Sequence, residues 1–61
     1  MKKEVRIFMD HGVTFKHEFD SAPKAKEYAS AVIKTGYIHD NGKWVDHYPP
    51  HRIIKVRTID L

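Results

Sequence analysis

The sequence predicts a two-layer α+β domain of order β-β-α-β-β: a twisted antiparallel sheet with one helix, residues 22–35, packed on one face. Three observations predict it. Residues 3–19 alternate apolar and polar around Asp10-His11-Gly12, and residues 22–35 carry apolar side chains at helical spacing. Residues 37–61 return to alternation, broken by Asn41-Gly42 and by Pro49-Pro50.

In the first hairpin, Val5, Ile7 and Met9 alternate with Glu4, Arg6 and Phe8, while Val13, Phe15, His17 and Phe19 alternate with Thr14, Lys16 and Glu18. Side chains opposite one another on paired strands share a face, so register decides the turn. A two-residue turn at His11-Gly12 sets Ile7 against Lys16. A three-residue loop instead pairs Met9 with Val13, Ile7 with Phe15 and Val5 with His17, gathering the apolar set on one side. The longer loop is therefore predicted, with Gly12 at its positive-φ position.

The helix has marked ends. Asp20 or Ser21 supplies the N-cap, and Pro23 sits in the first turn, where its missing N–H leaves no bond unmade. Ala25, Tyr28, Ala29, Val32 and Ile33 make one apolar stripe opposite Lys24, Lys26, Glu27, Ser30 and Lys34. Gly36 is the expected left-handed stop, with Tyr37 folding back on the last turn.

Asn41-Gly42 is a strong hairpin signal, joining residues 37–40 to 43–48 and setting His39 against Trp44 and Tyr37 against Asp46. Pro49-Pro50 ends that strand. From His51 to Leu61, Ile54, Val56 and Thr58 fall on one side and Ile53, Lys55, Arg57 and Ile59 on the other; the first of these residues form either a strand or a loop crossing the sheet edge. A right-handed return through the helix places a late strand beside the first. Nothing in the chain then covers the opposite sheet face.

With 61 residues, the chain forms one domain, residues 1–61, and is too short to enclose most substrate pockets. It has no cysteine, which excludes disulfides, thiolate metal sites and thiol catalysis and makes the reducing cytoplasm the expected location. No apolar run spans a membrane, and Met1-Lys2-Lys3-Glu4 leads into alternation rather than into a signal peptide's apolar core. Five histidines raise the question of a metal, but Pro49-Pro50 separates His47 from His51, and His11 and His17 have no ligand set around them. Ser21, Ser30, Asp46 and His47 form no catalytic arrangement; no metal, cofactor or catalytic residue is assigned.

Two surfaces remain. Tyr37, Trp44 and Tyr48 share one side of the second hairpin, and with Phe8 and Arg52 they are the residue types that dominate protein interfaces. They are equally the types that close a small core. On the uncovered sheet face, Arg6, Lys16, Lys55 and Arg57 with Phe8 combine cations and an aromatic ring as nucleic-acid-binding surfaces do, although Glu4, Asp10 and Glu18 dilute the charge. The expectation is a non-enzymatic module that binds another protein or a second copy of itself, with nucleic-acid binding as the alternative. Chains of this size are often phage or mobile-element products that bind host proteins, an analogy of size alone.

Overall fold

The structure, a computed structural model, describes residues 2–61; Met1 lies outside the described residues. Strands β1 (Lys3–Met9) and β2 (Thr14–Phe19) precede helix α1 (Ala22–Thr35). Strands β3 (Tyr37–Asp40) and β4 (Val45–Tyr48) follow, then a 3₁₀ turn (Pro50–Arg52) and strand β5 (Ile53–Asp60). The α+β class and the helix limits are those expected from sequence. The chain returns to place β5 beside β1, giving an antiparallel sheet of order β2-β1-β5, while β3 and β4 pair only with each other. The single sheet expected from sequence is thus two. Pro49 and Pro50 have no N–H with which to extend β4, and the chain passes through the 3₁₀ turn before it pairs again.

The first hairpin has the register that apolar matching requires. Ile7 lies opposite Phe15 and Val5 opposite His17. The Met9 amide donates to the Val13 carbonyl at 2.9 Å, closing a three-residue loop in which Gly12 takes φ +87°. The second hairpin differs from expectation by two residues: Tyr37 pairs with Tyr48 and His39 with Asp46. Side chains explain the longer loop. Asn41 Oδ1 accepts from the amides of Lys43 at 3.0 Å and Trp44 at 3.1 Å, and Asp40 Oδ1 accepts from Gly42 at 2.8 Å. These bonds draw four residues, 41–44, into the turn, where a two-residue turn would have left the amides to water. A shift of two preserves parity, so Tyr37, His39, Asp46 and Tyr48 still share a face.

Helix α1 starts at Ser21, whose Oγ accepts from the Lys24 amide at 3.4 Å. Ala25 and Val32 are buried and Tyr28 and Ala29 half-buried, but Ile33 is 61% exposed and drops out of the expected stripe. One residue beyond Val32, it turns past the sheet edge toward Ile54 and Pro50. The helix ends at Gly36 without the left-handed cap: φ is +94° and ψ −175°, an extended positive-φ conformation that sends the chain straight into β3.

Strand β5 holds a bulge. Lys55 lies opposite Phe8 and Ile53 opposite Met9, so Ile54 is the extra residue and is 66% exposed. The expected alternation therefore fails at its start: Ile53 and Val56, not Ile54 and Val56, pack on the core.

That core is Val5, Ile7, Met9, Ala25, Val32 and Tyr37. Helix and second hairpin share one face of the main sheet, with Tyr37 beside Phe15 at 4.7 Å between ring centroids. His17 Nε2 lies 2.6 Å from the Tyr37 hydroxyl, with the Tyr28 ring at 5.4 Å. Burial, and secondarily Tyr28 and Tyr48, pushes the Tyr37 hydroxyl up to about 12, so it keeps its proton and can donate it to a neutral imidazole. Burial, and secondarily the charge of His39, lowers His17 below its ordinary value. The unfolded chain then binds more protons than the folded one below pH ~6.5. Stability is full above that value and is lost as pH falls through the depressed folded-state pKa. A fall of a few degrees in melting temperature is expected between neutral pH and pH ~5, and a flatter profile in His17→Gln. An equally steep profile in the variant would assign the acid sensitivity elsewhere.

Candidate binding surface

Strand alternation carries every second residue of the main sheet away from the helix. On β1 these are Glu4, Arg6 and Phe8; their cross-strand partners are Glu18, Lys16 and Thr14 on β2, and Ile59, Arg57 and Lys55 on β5. The uncovered face is thus three rows deep. Glu18, Glu4 and Ile59 form one row, Lys16, Arg6 and Arg57 the middle row, and Thr14, Phe8 and Lys55 the last.

All four cations singled out from sequence, Arg6, Lys16, Lys55 and Arg57, lie on this face, against two carboxylates. The third acidic group expected here, Asp10, is turned aside into the hairpin loop. Its Oδ2 lies 2.6 Å from Arg52 Nε, its Oδ1 3.5 Å from His11 Nδ1, and its amide donates to the Arg52 carbonyl at 3.0 Å. Glu4 pairs with Arg6. Among the described residues, Lys16, Lys55 and Arg57 have no carboxylate within ion-pair distance. Phe8 sits half-buried, with Lys55 Nζ 4.9 Å and Arg57 Cζ 5.4 Å from its ring centroid. Each such contact is worth roughly 0.5–1 kcal/mol at an exposed site and fixes where the cations stand.

The Arg57 end of the middle row is what sequence reading missed. Strand alternation places Arg6, Lys16, Lys55 and Arg57 on one face, but the β1–β5 register that sets Arg57 opposite Arg6 joins distant parts of the chain, and no turn between the two strands announces it. Like charges directly opposite on paired strands oppose folding. Here three cations stand side by side across three strands, at a spacing near 4.8 Å.

The aromatic set does not form one surface. Tyr37 is 2% exposed and therefore no contact residue; it closes the core. Tyr48 is half-buried, its ring 6.3 Å from Tyr37 and stacked on His11 at 5.7 Å. Trp44, 58% exposed, projects from the second hairpin's loop with its Nε1 donating to Asp46 at 3.2 Å. Phe8 lies on the opposite side of the main sheet, and Arg52 is engaged by Asp10. The His47–Arg52 stretch acquires a structural explanation: Tyr48-Pro49 crosses against Gly36, and Arg52 clamps the first hairpin's loop.

Ser21 is occupied as the helix cap, Ser30 lies exposed on α1, and Asp46 and His47 point to opposite faces of β4. Among the described residues, no three histidine or acidic side chains come together as a metal site. No helix among them is long and apolar enough to cross a membrane. Compared with models of protein families, with curated proteins and with solved structures, the chain has no significant match.

Proposed function

We propose that this protein is a small non-enzymatic binding module of the cytoplasm whose working surface is the uncovered sheet face and whose partner is a nucleic acid. The observation that carries the reading is the Lys16–Arg6–Arg57 row beside Phe8. Side-by-side cations weaken a domain whose margin is already small, and phosphates laid across them relieve the repulsion while releasing counterions. The face holds four cations against two carboxylates, most of the chain's net charge of +3.

The test is binding as a function of salt. Affinity for a labelled oligonucleotide should fall steeply with ionic strength, and Lys16→Thr with Arg57→Thr should reduce it about tenfold or more at low salt. The slope of log K against log salt should become shallower by about 0.7 per cation removed for a single strand. Both positions are exposed and lack carboxylate partners, so circular dichroism should report an intact fold. Absence of binding at low salt, or equal binding by the double variant, would sink the reading.

One observation favours a second reading, docking onto another protein, a second copy included. Trp44, Ile38 and Val45 are 58%, 60% and 47% exposed on the second hairpin. Loss of a captured protein partner in a folded Trp44→Ala variant would favour it over the first.

A further inference from the structure

We infer that the uncovered face takes an unpaired, single-stranded segment, its backbone crossing the Lys16–Arg6–Arg57 row and one base stacking at Phe8. The inference rests on the nucleic-acid reading and narrows it to one class of ligand.

Three features point to a single strand. First, the face is the side of a three-stranded sheet away from the helix. Reading a duplex through its major groove calls for a projecting helix or two-stranded ribbon, and neither projects from this side. Second, an aromatic ring on the central strand of the face has nothing to stack on in a duplex, whose bases already stack on one another. Unpaired bases are held on aromatic rings and on guanidinium planes. Phe8 and Arg57 supply one of each, with the Arg57 Cζ 5.4 Å from the Phe8 ring centroid. The flank of Phe8 toward β2 is bordered by Thr14, a short and exposed side chain.

Third, the rows are polarised. Successive rows lie about 6.8 Å apart along the strands. A backbone on the cation row has Phe8 one row away on one side and the Glu4–Glu18 pair one row away on the other. Phosphates straying toward the carboxylates meet repulsion, so the strand is confined to the middle row with its bases directed toward Phe8. The row ends at the edge strands β2 and β5, which makes the site a few nucleotides long.

The experiment is fluorescence anisotropy at low salt with labelled oligothymidylate, oligouridylate and a blunt DNA duplex of equal total charge. Both single strands should bind at least ~10-fold more tightly than the duplex. Phe8→Ala should lower single-strand affinity by about 5- to 100-fold, the range set by losing one base-stacking ring, and leave duplex binding unchanged. Phe8→Tyr should retain the wild-type affinity. Should Phe8→Ala fail to fold by circular dichroism, Phe8→Leu keeps the apolar contact with the strand and removes stacking, and it carries the same expectation. Salt-sensitive binding with no preference for single strands, or an equal effect of the Phe8 variant on both forms, would overturn the inference and leave the nucleic-acid reading standing. No binding of either form would remove both.

Discussion

Replacing Gly36 with alanine is expected to cost about 3 kcal/mol or more, lowering the melting temperature by ~15 °C. Two effects add at this residue. Its φ of +94° with ψ of −175° lies in a region that side-chain-bearing residues essentially never occupy. A Cβ at this position would also run into the Tyr48 carbonyl oxygen and come within 3.2 Å of Pro49 Cα, and both obstacles are backbone atoms that no rotamer change can move aside. Gly12→Ala is the control: φ is +87°, but nothing lies within 4 Å of the added carbon. It should therefore bear only the conformational penalty, about 1–2 kcal/mol. The whole domain has a margin of roughly 3–9 kcal/mol on a per-residue basis, so the Gly36 variant sits near the folding threshold and the Gly12 variant well inside it. Thermal melts followed by circular dichroism separate them. Equal losses in the two variants would mean that the β4 exit does not press on the helix end.

The same glycine shows which parts of the fold can be read without coordinates. That residue 36 stops the helix is legible, because the apolar stripe ends before it and a glycine follows a lysine and a threonine. That Tyr48-Pro49 lies against it is not, since the contact joins residues 12 apart through a hairpin whose register is set by side-chain bonds from Asp40 and Asn41. The first hairpin was legible down to its register because burial forces a single phase on an amphipathic strand pair, as Ile7 opposite Phe15 illustrates. Strand β5 was not, because one inserted residue, Ile54, reverses the phase, and Ile53-Ile54 offers two equally apolar choices. The candidate site inherits that split. The side on which Arg6 and Lys16 lie follows from alternation alone, whereas the alignment of Arg57 with them follows from a long-range strand pairing that no local turn fixes.

Tyr37→Ala is expected to cost about 3–5 kcal/mol and to bring the domain to its folding threshold at room temperature. Tyr37 is among the largest fully buried side chains and lies where the two sheets meet, its ring within 6.3 Å of Phe15, His17, His39 and Tyr48 by centroid distance. Removing it leaves a void bordered by Phe15 and His17 and detaches the second hairpin from the main sheet. Tyr37→Phe keeps the ring and removes only the hydroxyl partner of His17, a loss of about 0.5–1.5 kcal/mol. Trp44→Ala, at 58% exposure in a loop, should change stability by no more than about 0.5 kcal/mol. Chemical denaturation of the three variants therefore has a fixed order, Tyr37→Ala far below Tyr37→Phe, with Trp44→Ala nearest to wild type. The order matters for function as well as for packing. Because Trp44 can be removed without disturbing the core, any loss of a protein partner in Trp44→Ala reports the interface itself, and the proposed nucleic-acid binding through Arg6, Lys16 and Arg57 on the far side of the sheet should be untouched. The reverse order, with Trp44→Ala unfolded and Tyr37→Ala stable, would mean that the second hairpin turns its other side to the core, and the division of the aromatic residues between core and surface would have to be redrawn.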